Sequence, residues 1–347
     1  MNNNRKELLL RNTAETITKD EIEGILEKDD PVAYIGYAPT GTMHIGHFTT
    51  VRKIADFVES GFTFKFLLAD IHAELDIEKS PRKLVDARTE YYKKAIQGML
   101  EASGIDENDI EFVRGSEFQH DPEYQKGYMK IMEEATVNRM QRSVNEVVRN
   151  SDGMKASGLL YSAMQIMDCA SPGLDVDIAY GGRDQRRIYM LAREVLPDIG
   201  EKKPTSIFAP LLSGLTGGKM SASDENSKIS IHDTEEDVSE KINQAYCPQG
   251  EVEDNGVLEY LKYLILPILE QKGEEFVVER PEKYGGDLEY SSYEDLEEDF
   301  VSEELHPQDL KEATGKELAD ILRPIRERFE DEDKLLERAY PDKEEWS

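Results

Sequence analysis

Cysteine is nearly absent from the chain: Cys169 and Cys247 are the two in 347 residues. Neither has a second pair at zinc-ligand spacing, so a disulfide framework and a zinc module are both excluded, and the thiols read as reduced. Long apolar runs are missing as well. Stretches such as Phe66 to Ala69 and Leu264 to Leu269 fall far short of the roughly 20 residues that span a bilayer. The segment from Met1 to Leu10 has charge but no apolar core of signal-peptide length, so the expectation is a cytoplasmic protein with no membrane partner. Positive charge is the third shortage. Lys and Arg number 42 against 73 Asp and Glu, a formal net charge of −31.

That surplus is spread along the chain. Acidic runs such as Glu294 to Asp299 lie beside good apolar positions, and hydrophobic residues make up 38%, which describes a folded acidic protein rather than a disordered one. Self-repulsion of this size is screened in molar salt, where the Debye length shrinks to roughly 3 Å. A halophilic origin is the expectation. A chain of this length favours two domains.

Val32 to Tyr37 reads as a strand, followed by Ala-Pro-Thr-Gly and a helical pattern from about His44 to Glu59. A second strand from Phe62 to Ala69 follows Ser60-Gly61, so a parallel βαβ unit is expected. Doubly wound order continues with a helix over 81–103, a strand over 110–113, one amphipathic helical stretch over 122–149 and a helix over 159–169. Strand 176–179, helix 183–196 and strand 205–208 complete the sheet. Beyond the polar stretch 224–233 the pattern changes to helices, clearest over 238–245, 257–270 and 307–329. The final residues read as solvated.

Two loops carry chemistry. His44-Ile45-Gly46-His47 sits where the first strand hands over to a helix, the place where such sheets bind nucleotides. A helix start offers unpaired N–H groups to phosphate, Gly46 permits close approach of an adenine or ribose, and the two histidines, three apart on one face, add donors. Gly217-Gly218-Lys219-Met220-Ser221-Ala222-Ser223 surrounds one cation with glycines and hydroxyls. By itself it reads as a linker; paired with the first loop, it suits a polyphosphate.

These two segments, in this order, resemble the signatures of the class I aminoacyl-tRNA synthetases. Tyr34-Ile35-Gly36-Tyr37, Leu67-Leu68-Ala69-Asp70-Ile71-His72, Tyr161 to Asp168 and Gly181-Gly182-Arg183-Asp184-Gln185 are similar to the archaeal and eukaryotic tyrosyl branch, over nearly the whole chain. The resemblance implies a Rossmann-like α/β catalytic domain at 1–232 with a helical insertion at about 115–155. It also implies a mainly α-helical anticodon-binding domain at 233–347 with an acidic tail. It further implies that ATP with Mg2+, L-tyrosine and tRNA(Tyr) are the ligands, that the chain pairs as a homodimer, and that no metal is held by the protein itself.

Residue by residue, the resemblance puts His44, His47 and Lys219 in catalysis, and Gly46, Met220, Ser221, Ala222 and Ser223 around ATP. Tyr34, Gly36, Tyr161, Gln165, Asp168 and Gln185 fall around tyrosine, with Tyr34 and Asp168 on the phenol. Arg142, Arg186 and Arg187 match acceptor-stem readers, and Tyr284, His306 and Asp309 match residues that hold the first anticodon base. The chain departs from the pattern at Ala222, often lysine or serine in relatives, and at Ala38, acidic in some of them.

Overall fold

The computed structural model describes residues 2–76, 79–147, 154–218, 220, 225–330 and 334–341. In chain order, α1 (Asn2–Leu10), β1 (Glu15–Ile17) and α2 (Glu21–Leu26) lead into β2 (Val32–Tyr37), α3 (Ile45–Glu59), β3 (Thr63–Leu68), α4 (Asp70–Leu75), α5 (Val85–Ala102) and β4 (Ile110–Arg114). Next come α6 (Pro122–Glu134), α7 (Val137–Val144), α8 (Ala156–Asp168), β5 (Ile178–Gly182), α9 (Arg186–Val195) and β6 (Thr205–Ala209). The remainder holds α10 (Glu235–Gln244), α11 (Gly256–Tyr260), α12 (Leu266–Lys272), the hairpin β7 (Phe276–Val278) and β8 (Leu288–Tyr290), α13 (Tyr293–Val301), α14 (Pro307–Glu330) and α15 (Leu335–Ala339).

The six-stranded sheet has the order β1-β6-β5-β2-β3-β4. β6, β5, β2, β3 and β4 run parallel, while β1 closes the edge antiparallel to β6. Strand order reverses between β2 and β5, which opens a crevice at their carboxyl ends. Period-2 alternation along β2 then decides which residue faces which layer. Ala33 and Ile35 join a core with α3, α5 and the C-terminal helices. Tyr34 turns the other way into a second core with α6 to α9.

Several local expectations need correction. The helix expected over 122–149 is broken: the Thr136 hydroxyl caps a fresh start at α7 by accepting from Arg139 N–H, and Arg149 lies outside the described residues. The sheet is parallel except at β1, whose three residues are too few to show a periodic pattern. The helix over 257–270 contains a π-helical turn at Leu261–Ile265. Pro267 explains it, because a proline lacks the N–H that regular i→i−4 bonding needs, and a wider turn accommodates the loss.

The C-terminal stretch is not simply solvated. Leu335 and Ala339 are buried against α5. The Tyr340 hydroxyl donates to Gly41 O at 2.7 Å, and the buried Arg88 guanidinium donates to Ala339 O at 3.0 Å and to Thr40 O at 2.7 Å. This strap holds down the loop that precedes His44. No helix among the described residues is long and apolar enough to cross a membrane.

Candidate active site

The crevice at the switch point is a cavity of about 420 Å³. Its walls come from the end of β2, the start of α3, the face of α8 and the turn after β5. Tyr34, Gly36, His44, Gly46, His47, Tyr161, Gln165, Asp168, Gln185 and Met220 all line it. The structure therefore brings together every candidate residue for tyrosine, and those for ATP that fall within the described residues. Lys219, Ser221, Ala222 and Ser223 lie outside the described residues.

At one end, His44 is the N-cap of α3 rather than a residue on its face. Gly46 N–H donates to His44 Nδ1 at 3.1 Å, and His44 N–H donates to His47 Nδ1 at 3.2 Å. With both Nδ1 atoms accepting, a neutral ring carries its proton on Nε2. Burial, then the nearby His47 and Lys228, pulls the His44 pKa down to about 2. Burial likewise lowers His47 to about 4, with Lys228 adding to it and the His44 backbone opposing. Both imidazoles are thus neutral hydrogen-bond donors at pH 7. Gly46 also makes room for the chain's own histidine ring: a Cβ there would sit 3.0 Å from His44 Cε1.

The second loop reaches the first. Gly214 N–H donates to Gly218 O at 2.7 Å and Leu215 N–H to Ser227 O at 3.0 Å, closing the loop's base. Ile45 N–H donates to Ile229 O at 2.9 Å. The Met220 sulfur lies 3.6 Å from where a Gly46 Cβ would stand.

The opposite end is buried and polar. Asp168 is buried at the end of α8, where its Oδ1 accepts from the Tyr124 hydroxyl at 2.6 Å and from Gln119 Nε2 at 2.7 Å. Its Oδ2 has no hydrogen-bond partner among the described residues. His72 Nε2 stands 3.6 Å from that oxygen, too far for a hydrogen bond. Burial lowers His72 to about 4, so the contact is not an ion pair at neutral pH. Burial also pushes the Asp168 carboxyl up to about 7, against the bonds from Tyr124 and Gln119. The Tyr34 hydroxyl lies 3.1 Å from that of Tyr189 and 3.4 Å from Cys169 Sγ.

Between the two ends, Gln165 Nε2 donates to Gln185 Oε1 at 2.9 Å, and Gln165 Oε1 is buried with no partner among the described residues. Two unmatched oxygen acceptors thus belong to residues that line one cavity, Gln165 and Asp168. Such a site suits a ligand with two separated donors, since an unpaired buried acceptor costs about 1–3 kcal/mol until a donor arrives. Sequence reasoning passed over Gln119, Tyr124, Cys169 and Tyr189. His72 belongs to a matching motif, yet nothing local gave it a role.

The remaining candidates lie elsewhere. Arg142 is exposed on α7. Arg186 is held in a fork by Glu15 at 2.7 and 2.8 Å, and Arg187 meets Glu146 at 3.1 Å. Tyr284 is 63% exposed. His306 precedes α14, its Nδ1 accepting from Gln308 N–H at 3.1 Å, and Asp309 sits in that helix's first turn. Arg280 joins the two segments by donating to Gly286 O and Glu304 O, each at 3.0 Å. Cys169 and Cys247 are both free and buried. Among the described residues no group of three or more His, Cys, Asp or Glu is placed to hold a metal.

Residues 26–323 match the family described as tRNA synthetases class I (W and Y). The chain is 56% identical over 339 residues to a tyrosine–tRNA ligase of Haloarcula marismortui, covering 98% of this chain and 97% of that one. It is 54% identical to the tyrosine–tRNA ligase of Natronomonas pharaonis, over 98% of this chain and 99% of the other. Among solved structures, tyrosyl-tRNA synthetase from Archaeoglobus fulgidus complexed with L-tyrosine superposes with a TM-score of 0.88 at 43% identity, covering 94% of this chain and 99% of that one.

Proposed function

The chain belongs to the class I tRNA synthetases that serve tryptophan and tyrosine, and from that premise we propose that its cavity activates L-tyrosine with ATP and loads it onto tRNA(Tyr). A carboxylate oxygen of tyrosine attacks the α-phosphorus of ATP, the bond to the β-phosphate oxygen breaks, and pyrophosphate leaves. The 3′-terminal ribose of the tRNA then attacks the acyl carbon, and AMP departs. ATP enters with its Mg2+ as substrate.

His44 and His47 donate from Nε2 to the phosphates, which gain charge as the bond breaks. Because both are neutral, they stabilise that charge without prior pairing to an anion. Lys219, with Met220, Ser221, Ala222 and Ser223 around it, closes over the pyrophosphate from the second loop. Gly46 keeps the first loop tight enough for the nucleotide to lie on it. Most of the catalysis is positioning and electrostatics.

The observation that carries tyrosine is Asp168, whose Oδ2, without a partner among the described residues, shares a cavity with Tyr34. Asp168 accepts from the substrate phenol and Tyr34 completes its polar surroundings. Gln165, with Tyr161 and Gln185, holds the α-ammonium, and Gly36 leaves space beside the ring. A phenyl ring would leave Oδ2 unmatched, and an indole, whose N–H could reach Oδ2, brings no oxygen to accept from the Tyr34 hydroxyl.

For tRNA, Arg142, Arg186 and Arg187 read the acceptor end, the latter two exchanging Glu15 and Glu146 for nucleic acid. Tyr284 stacks on the first anticodon base beside His306 and Asp309, in a helical domain beginning near residue 233. The chain acts as a cytoplasmic homodimer through the inserted helices, where Met129, Met132 and Val137 are exposed.

Pyrophosphate exchange in molar salt, run with tyrosine, tryptophan and phenylalanine in turn, is the test. Tyrosine alone should support exchange, and His47→Ala and Lys219→Ala should each abolish most of it. Equal exchange with tryptophan, or full activity in both variants, would overturn the reading.

A further inference from the structure

On the α3 side of the sheet lies a second, much smaller cavity of about 20 Å³, lined by Arg52, Lys53, Asp56 and Tyr180 among others. Its charges do not balance. Asp56 is the buried carboxylate there, and it receives Arg52 Nη1 at 3.0 Å, Lys53 Nζ at 2.8 Å and Arg11 Nη2 at 2.9 Å. Arg11 is matched separately by Glu270 at 2.6 Å, on the solvent side. Arg52 and Lys53 are both buried, which leaves two interior cations for one interior carboxylate.

The donors are unequally used. Lys53 Nζ is saturated, giving its other protons to Leu8 O at 2.9 Å and Arg11 O at 2.7 Å. The Thr49 hydroxyl is committed to Gly46 O at 3.0 Å. Arg52 spends Nη2 on Pro267 O at 3.0 Å. Arg52 Nε and the Tyr180 hydroxyl are left, both buried and both without a partner among the described residues. Arg52 and Tyr180 both line this cavity, so the two donors share one neighbourhood.

A guanidinium N–H and a phenol O–H in a cavity with surplus positive charge call for an acceptor that is also an anion. The space admits one small particle, which excludes phosphate and carboxylates. A water would satisfy the two donors but leave the buried charge uncompensated, a costly arrangement in a low-dielectric interior. We infer that this cavity is a specific halide site, occupied in practice by chloride, held between Arg52 Nε and the Tyr180 hydroxyl.

Two consequences follow from its position. Tyr180 and Pro210 line both this cavity and the catalytic one, so the ion stiffens a wall they share. Tyr263 and Pro267, from beyond the sheet, also line it, so the ion fastens the C-terminal helices to α3. A site of this kind saturates and depends on which anion is present, whereas screening of the −31 surface depends only on ionic strength.

Crystals of the full-length protein soaked in potassium bromide should show an anomalous peak in contact with Arg52 Nε and the Tyr180 hydroxyl. In solution, the melting temperature should be about 2–4 °C higher in potassium chloride than in potassium acetate of equal ionic strength. Tyr180→Phe should remove that difference while keeping the rise common to both salts. Bromide confined to surface positions, a cavity that refines as water, or a chloride increment unchanged in Tyr180→Phe would each overturn the assignment. The bromide map needs no variant, so it stands even if Tyr180→Phe folds poorly.

Discussion

Tyr124 donates its phenol proton to Asp168 Oδ1 at 2.6 Å and thereby fixes which carboxylate oxygen remains for a ligand. Forty-four residues apart in sequence, these two meet because α6 packs on α8. Burial holds the carboxyl up at about 7. A substrate phenol donating to Oδ2 favours the ionised form, so tyrosine should bind less well as pH falls through about 7. The KM for tyrosine in pyrophosphate exchange, measured from pH 6 to 8.5, checks this; a flat profile would remove Asp168 from the phenol.

The same shift has a stability sign. The folded carboxyl titrates at about 7 against the ordinary 3.8, so the unfolded chain ionises first, and folding loses stability as pH rises from about 4 to about 7. Asp168→Asn should therefore raise the melting temperature above pH 7, have no such effect below about pH 4, and weaken tyrosine use by at least about tenfold. Scanning calorimetry at both pH extremes, set beside exchange kinetics, separates these outcomes.

Tyr34→Phe removes the hydroxyl that meets Tyr189 and Cys169 and keeps the ring packed. One neutral hydrogen bond is worth about 0.5–1.5 kcal/mol, so preference for tyrosine over phenylalanine should drop by roughly three- to tenfold. The ratio of kcat/KM for the two amino acids measures it. An unchanged ratio would show that this hydroxyl does not face the substrate.

Acid should unfold the protein through its buried histidines. Burial lowers His44 to about 2 and His47, His72 and His232 to about 4, all below the ordinary 6.5. The unfolded chain takes up protons first, so stability is lost as pH falls from about 6.5 toward 4. Asp168 acts in the opposite direction over that range but is one group against four. The melting temperature should drop between pH 6.5 and 5 at constant salt.

Gly173→Ala should cost more than 2 kcal/mol, because a Cβ there would stand 2.3 Å from Met167 O and 2.9 Å from Asp168 O, and backbone carbonyls cannot step aside. The loop also supplies Leu174 N–H to Asp168 O at 2.8 Å. Chemical denaturation should show the loss, and tyrosine KM should rise with it.

The parallel strands and their alternation with helices were legible because strand and helix periods alternate from Val32 to Ala209, whereas the three-residue β1 was not. The site was legible wherever its residues share a short motif, as Tyr161, Gln165 and Asp168 do on one helix face. Gln119 and Tyr124 were not: they reach Asp168 from a separate segment, and nothing in their own surroundings marks them. The capping role of His44 was hidden for another reason, since spacing places it beside His47 but cannot show that its ring turns back onto Gly46. At the far end, the acidic neighbours of Leu335 and Ala339 masked a short apolar face.

Tyr340 lies 299 residues from the Gly41 carbonyl it grips. During translation Gly41 is made first, and both histidines soon after it, yet one of the bonds that hold the loop before them comes from a residue synthesised hundreds of codons later. The same Gly41 carbonyl also accepts from the Tyr92 hydroxyl at 2.8 Å, so the entrance is pinned by an early residue and tightened by a late one.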